Sequence, residues 1–239
     1  MRLLDVQALD LRLDQLAHRR RTIPEIAESE RLRVERKQLE SDMITAETQV
    51  TDLTREQRKA EADVEQVRSR RTRDEQRLQA GQVGSPKELE SLSHEIESLT
   101  RRQSDLEDVE LDVMERLETA AARHDELRGQ YTALEERLAE VDRSRDAAFA
   151  GIDAESDQIR RERADTAAGV TDTLLTLYEK LRAQFGGVGA AALHQRRCEG
   201  CRMELDASYL TKIASTPDDT VLRCEECGRI LVRTLEPGV

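Results

Sequence analysis

The sequence predicts a mainly α protein: a long antiparallel coiled-coil helical hairpin followed by a small C-terminal β ribbon. Three observations predict it. Charged residues make up 37% of the 239 residues and aromatics only 2%, the makeup of long helices rather than of a thick core. Apolar residues recur in alternating steps of three and four along two long stretches without proline. All four cysteines stand near the end as two Cys-x-x-Cys pairs, Cys198/Cys201 and Cys224/Cys227, with 22 residues between them.

Residues 1–21 read as a short amphipathic helix, with Val6, Leu9, Leu13 and Leu16 in one stripe. Thr22-Ile23-Pro24-Glu25 interrupts it. Thr22 and Glu25 have capping-box spacing and Pro24 suits a first turn, so the helix is expected to break near 22–25 and restart. From Leu39 to Leu78, twelve heptad positions carry nine apolar residues. Gly81 then offers a left-handed helix stop, Ser85 an N-cap, Pro86 a first-turn residue and Glu88 a second capping box. A turn this short, near 81–86, forces antiparallel neighbours. The returning arm has 21 seam positions from Leu89 to Ile159, sixteen of them apolar and in unbroken phase. Pairing Leu78 with Leu89 brings Leu16 beside residue 151. Val170, Leu174, Leu177, Tyr178, Leu181 and Phe185 form a last helical stripe. This register leaves it beyond the reach of the first arm, to be covered by the domain that follows. Gly186-Gly187-Val188-Gly189 marks the boundary, giving a hairpin over 1–185 and a ribbon over 186–239.

Each Cys-x-x-Cys turn presents two sulfurs on one side of a tight loop, and the second loop closes a tetrahedron. Four thiolates so arranged are the usual cage of one structural zinc, with no position left for a reactive water. Gly228 suits the backbone turn under the sulfurs. Val221-Leu222-Arg223 and Ile230-Leu231-Val232 read as a hairpin around the second loop, giving a zinc ribbon. Iron can use the same ligands, although rubredoxin-like sites sit in aromatic-rich cores and this segment has only Tyr209. Two disulfides would require an oxidising compartment. A ribbon this small draws much of its folding energy from the metal.

The net charge of −12 argues against a broad nucleic-acid-binding surface. Residues 186–239 hold seven basic and eight acidic residues, so the ribbon as a whole does not trap phosphate. A local face bearing His194, Arg196, Arg197, Arg202 and Arg223 is one candidate nucleic-acid contact. The hairpin tip is another: Arg68, Arg70, Arg71, Arg73, Arg77 and Lys87 stand there against only Asp74 and Glu75. Cross-arm pairing with Glu88, Glu90, Glu95 and Glu97 is the plainer account of that excess. The turn AGQVGSPKEL lacks paired apical carboxylates, which argues against a rod that delivers acids to a polymerase metal.

No apolar run approaches the ~20 residues of a membrane span, and MRLLDVQALD is not built as a signal peptide. A cytoplasmic protein without membrane contact is expected. The sequence has no phosphate-binding glycine loop, nucleophile elbow or His-Glu-x-x-His, and a two-stranded rod has no water-excluding cavity. Neither an enzymatic activity nor a small-molecule substrate is expected.

The stretches GSPKELESLSHEIESL at the turn and RCEGCRMEL…LRCEECGRILV around the cysteines carry a resemblance. The chain resembles the bacterial four-cysteine zinc-ribbon proteins built from an N-terminal coiled-coil hairpin and a C-terminal ribbon, over essentially its whole length. The resemblance implies that Cys198, Cys201, Cys224 and Cys227 bind zinc. It also implies a regulatory binding protein whose partner is RNA, DNA or a transcription component such as an alternative sigma factor. A purely structural protein–protein tether is the rival reading.

Overall fold

The computed structural model describes residues 2–217 and 219–238. Helix α1 spans Arg2–Thr22, α2 Pro24–Gln79, α3 Pro86–Ala167 and α4 Asp172–Gln184. The ribbon follows as β1 Ala190–His194, β2 Arg197–Cys198, α5 Ala207–Ser215, β3 Leu222–Arg223 and β4 Ile230–Arg233. Among the described residues, no helix is long and apolar enough to cross a membrane. The chain divides into two compact units, Ser29–Glu140 and the combination of Met1–Glu28 with Val141–Val239.

Within Ser29–Glu140, α2 and α3 run antiparallel on either side of the tip turn. Leu53, Ala60 and Val64 of α2 and Leu92, Leu99, Val113, Ala120, Leu127 and Leu134 of α3 are buried, as the heptad seam requires. Gly81 sits at φ +64, and the Gln82 N–H reaches the Arg77 carbonyl at 3.1 Å, which closes α2. Ser85 accepts from the Glu88 N–H at 3.3 Å, and the Glu88 carboxylate accepts from the Gly84 N–H at 3.0 Å, which opens α3. Arg116 lies 3.6 Å from Glu56, a pairing in keeping with the expected register.

In the other unit, α1 lies antiparallel to the end of α3. Leu16 and Ile23 pack with Ile152 and Ile159, as the register across the tip implies. The chain does break near residue 23, but not through a Thr22 capping box. The Thr22 hydroxyl donates back to the His18 carbonyl at 3.0 Å, because α1 stays helical through Thr22 and only Ile23 leaves the helix.

The stripe on α4 is not beyond the first arm. The chain turns over Ala168–Thr171 and folds α4 back, so Tyr178 and Leu181 bury against Leu3 and Val6 of α1 as well as Ala190 and Ile230 of the ribbon. Gly186 at φ +65 ends α4, with the Gly187 N–H on the Arg182 carbonyl at 2.9 Å.

The ribbon is a four-stranded sheet in the order β2-β1-β4-β3. The expected β3–β4 hairpin is present, pairing Leu222 with Leu231. β1 joins β4 in parallel, pairing Ala190 with Ile230 and Ala191 with Leu231. The alternation of strand side chains then splits the sheet. Ala190 and Ile230 face the helices, while Ala191, Leu193 and Leu231 join Leu205, Leu210 and Ile213 beside Cys198 and Cys224.

Candidate metal centre

The two cysteine loops are built alike. Cys198 ends β2, and the Arg202 N–H returns to its carbonyl at 2.7 Å. Cys224 follows β3, and the Gly228 N–H returns to its carbonyl at 2.8 Å, with Gly228 at φ +72. A Cβ at Gly200 would lie 2.9 Å from both Ala191 Cβ and Arg229 Cδ, so the first loop sits tight on β1 and Arg229. Between the loops, the Asp206 carboxylate caps α5. It accepts from the Ser208 hydroxyl at 2.7 Å and the Ala207 N–H at 2.9 Å, and these bonds hold it below the usual carboxylate range. Leu210 and Ile213 of α5 pack under the cysteines, and the Tyr209 hydroxyl donates to the Arg223 carbonyl.

All four sulfurs lie within 4.8 Å of one another. Cys198 and Cys227 are 3.9 Å apart and Cys201 and Cys224 3.8 Å apart. A tetrahedron with Zn–S bonds of ~2.3 Å has S···S edges of ~3.8 Å, so the donor set fits zinc in type, number and spacing. The protein binds one structural zinc here. Burial pushes the Cys224 thiol up to about 12 and raises Cys198 as well. At Cys227, burial is outweighed by hydrogen bonds from Arg229 and the neighbouring cysteines, and its thiol falls to about 7. Zinc would hold all four as thiolates, and its two positive charges would offset half of theirs.

The basic residues divide by role. His194–Gln195–Arg196–Arg197 is the tight turn joining β1 to β2, with Gln195 at φ +46 and Arg196 at φ +69. Arg202, in the first cysteine loop, has φ +62. The Cys198 N–H meets the Met203 carbonyl at 3.1 Å and the Leu205 N–H meets the Arg196 carbonyl at 2.9 Å, which holds Arg196, Arg197 and Arg202 at one exposed edge. Arg196 stands 3.9 Å from Glu204, whereas among the described residues neither Arg197 nor Arg202 has a carboxylate partner. His194 lies 3.7 Å from Glu236. Arg223 is exposed and donates to the Gly228 carbonyl at 2.8 Å, bracing the second loop.

The tip arginines lie in the Ser29–Glu140 unit, and the cysteine loops belong to the other. Arg70 pairs with Glu95, and Arg68 lies 3.7 Å from Glu107. Arg71 pairs along its helix with Glu75 at 3.3 Å, and Arg73 donates to the Ser69 carbonyl at 3.2 Å. Of the four glutamates expected to pair across the arms, Glu95 does so. Glu88 instead accepts from Gly84, and Glu97 has His94 beside it at 3.9 Å.

Arg229 escaped the reading of the sequence. It donates to the Val188 carbonyl at 2.9 Å and the Phe185 carbonyl at 3.3 Å, and stacks 4.9 Å above the Phe185 ring. It thereby fastens the ribbon to the end of α4. Its place immediately after Gly228 was the signal.

Residues 6–186 match the CT398-like coiled coil hairpin domain, and residues 197–231 match the C4-type zinc ribbon domain. An uncharacterized protein of Mycobacterium tuberculosis is 35% identical over 231 residues, covering 97% of this chain and 94% of that protein. Another, from Mycobacterium leprae, is 30% identical, covering 93% and 95%. A solved structure from Mycobacterium smegmatis superposes with TM-score 0.82 at 33% identity, covering 98% of this chain and 96% of the other. CT398 from Chlamydia trachomatis shares the fold, with TM-score 0.68 at 17% identity and the same coverage. The chain belongs to the CT398-like coiled-coil hairpin family and carries a C4-type zinc ribbon.

Proposed function

We propose that this is a non-catalytic binding protein whose zinc-clamped ribbon contacts nucleic acid, or nucleic acid within the transcription machinery, in a regulatory role. The observation that supports this most is the ribbon edge. Arg196, Arg197 and Arg202 are exposed there, and two of them stand on left-handed backbone, which non-glycine residues seldom adopt without support. In this reading the metal keeps a small head rigid, and the edge offers guanidinium groups to phosphate. The protein works in the cytoplasm in this reading, where paired cysteines hold metal rather than disulfides.

The test is anisotropy of labelled single-stranded RNA and duplex DNA, titrated with the intact protein across a salt series. Binding should weaken steeply with salt, and Arg197→Glu with Arg202→Glu should reduce it by at least ~10-fold. Absence of binding at low salt would overturn the nucleic-acid reading. The structural tether would then stand, a reading favoured by the self-pairing of Arg68, Arg70 and Arg71 at the tip.

A further inference from the structure

On one face of α2, Arg70, Arg73 and Arg77 recur in steps of three and four, and Arg102 of α3 stands across from them. Together they rim a groove of 740 Å³ between the two arms. Its floor is apolar, made by Val67, Leu99 and Leu106. Two acids also line it. One of these, Asp74, is buried in the seam, 3.7 Å from Arg77, so it subtracts little from the basic rim that solvent sees.

The seam beneath is the least self-satisfied part of the hairpin. Arg71, Asp74 and Gln103 take positions where the heptad expects apolar residues. Gln103 Oε1 is buried there without a hydrogen-bond partner, and Arg71 Nε has only Glu75 of its own helix, at 3.3 Å. The arms therefore hold each other less firmly at this level than along the Leu–Ala seam below.

We propose that this groove is the docking site of an acidic amphipathic helix from another protein. A third helix laid between two antiparallel helices would rest an apolar stripe on Val67, Leu99 and Leu106, as helix-in-groove recognition does. Its carboxylates, spaced over two turns, would meet Arg73 on one side and Arg102 on the other, neither of which has a carboxylate partner among the described residues, while Arg70 and Arg77, already beside Glu95 and Asp74, would flank them. Both features of the groove are used by such a partner. Single-stranded nucleic acid would use only one of them. Residues 1–130 contain no Phe, Tyr or Trp, so the small imidazole of His94 is all that the tip offers a base to stack on, and phosphates would leave the apolar floor uncovered. The proposal is independent of the ribbon edge.

The test uses the full chain and a labelled helical peptide of about three heptads (~21 residues), with Leu at the a and d positions and Glu flanking them. The comparison probes are a scrambled peptide of the same composition, the same peptide with Lys for Glu, and a single-stranded RNA of similar length. Arg73→Glu with Arg102→Glu is the variant. Both side chains are exposed, and among the described residues neither has a carboxylate partner, so the helices should stay intact by circular dichroism. The striped Glu peptide should bind, and the double variant should weaken it by at least ~10-fold, as loss of charge complementarity at a helix groove implies. The scrambled and Lys peptides should bind at least that much more weakly. Equal binding of the scrambled peptide, equal binding by the variant, or binding of RNA without binding of the Glu peptide would each overturn the proposal.

Discussion

Tyr178 donates its phenolic O–H to the Asp10 carboxylate over 2.6 Å, joining residues 168 apart in the sequence. Asp10 is 2% exposed, and also accepts from Arg163 at 2.6 and 3.2 Å. Arg182 comes within 3.7 Å. One carboxylate thus ties α1 to the end of α3 and to α4. Next to it, Gln7 accepts from the Gly189 N–H at 2.7 Å and donates to the Gly187 carbonyl at 2.8 Å, which ties α1 to the entry of the ribbon.

Removing Asp10 should be severe. Asp10→Ala leaves the Arg163 and Arg182 guanidinium groups without their shared buried partner, a change that typically costs about 3–5 kcal/mol. Urea unfolding should show that loss, whereas Tyr178→Phe, which removes one hydrogen bond to the charge, should cost about 1.5–3 kcal/mol. A loss under about 1 kcal/mol for Asp10→Ala would show that the network contributes little beyond an exposed ion pair.

The same tyrosine predicts an alkaline weakness. Burial, and then its bond to Asp10, raise the Tyr178 hydroxyl well above its ordinary value. The folded chain therefore keeps a proton that the unfolded chain releases near pH ~10. The stabilisation is complete below that pH and is lost as pH rises past it. Between about pH 8 and about pH 10.5, wild type should lose more stability than Tyr178→Phe. Parallel losses in the two proteins would refute this.

Zinc removal should act locally. Chelation, or Cys224→Ser, should reduce bound zinc from one equivalent to near none and abolish amide-exchange protection in β1 and β4. Amides of α2 and α3 within Ser29–Glu140 should keep theirs. Apo protein at neutral pH should also release protons when zinc is added, because cysteine thiols free of metal, with pKa ~8.5, are largely protonated there and bind zinc as thiolates. Retention of a full zinc equivalent by the serine variant would refute the four-thiolate cage.

Two glycines should respond oppositely to alanine. A Cβ at Gly189 would lie 2.6 Å from the Tyr178 carbonyl oxygen and 2.9 Å from the Arg182 nitrogen, both backbone atoms. Gly189→Ala should therefore lower stability by about 1–3 kcal/mol through overpacking. Gly129 lies within α3 with nothing near its would-be Cβ, so Gly129→Ala should raise helix stability by about 1 kcal/mol. Thermal melts of the two variants read both signs.

The hairpin and the cysteine cage were legible in the sequence because both obey short-range arithmetic. A heptad phase counted from the tip turn placed Leu16 beside residue 151, and Leu16 packs on Ile152. Other features depend on distant partners. Ala190-Ala191-Ala192 has weak strand propensity, and becomes β1 only because β4 pairs with it in parallel. Gln7, Asp10 and Asp14 stand outside the stripe of Val6, Leu9, Leu13 and Leu16, and nothing near them in sequence marks them as contacts. Their partners arrive only when α4 folds back at a turn that holds one glycine and no proline. Thr22 misled for the opposite reason: its local pattern was sound, but α1 stays helical through it and its hydroxyl is taken by the His18 carbonyl one turn back. Helix α5 went unread although Asp206, its N-cap, precedes Leu210 and Ile213 at helical spacing.

The placement of α1 against α4 and the sheet also sets an order of events during synthesis. Leu3, Val6 and Asp10 are made well before Tyr178, Ala190 and Ile230, which bury them. At ~5–20 residues per second, the first helix waits roughly 10–40 s for its cover. During that interval its apolar stripe is open to chaperones and to other nascent chains. Final closure then waits on capture of a zinc ion by the cysteine loops, so metal supply governs when α1 becomes safe from proteolysis.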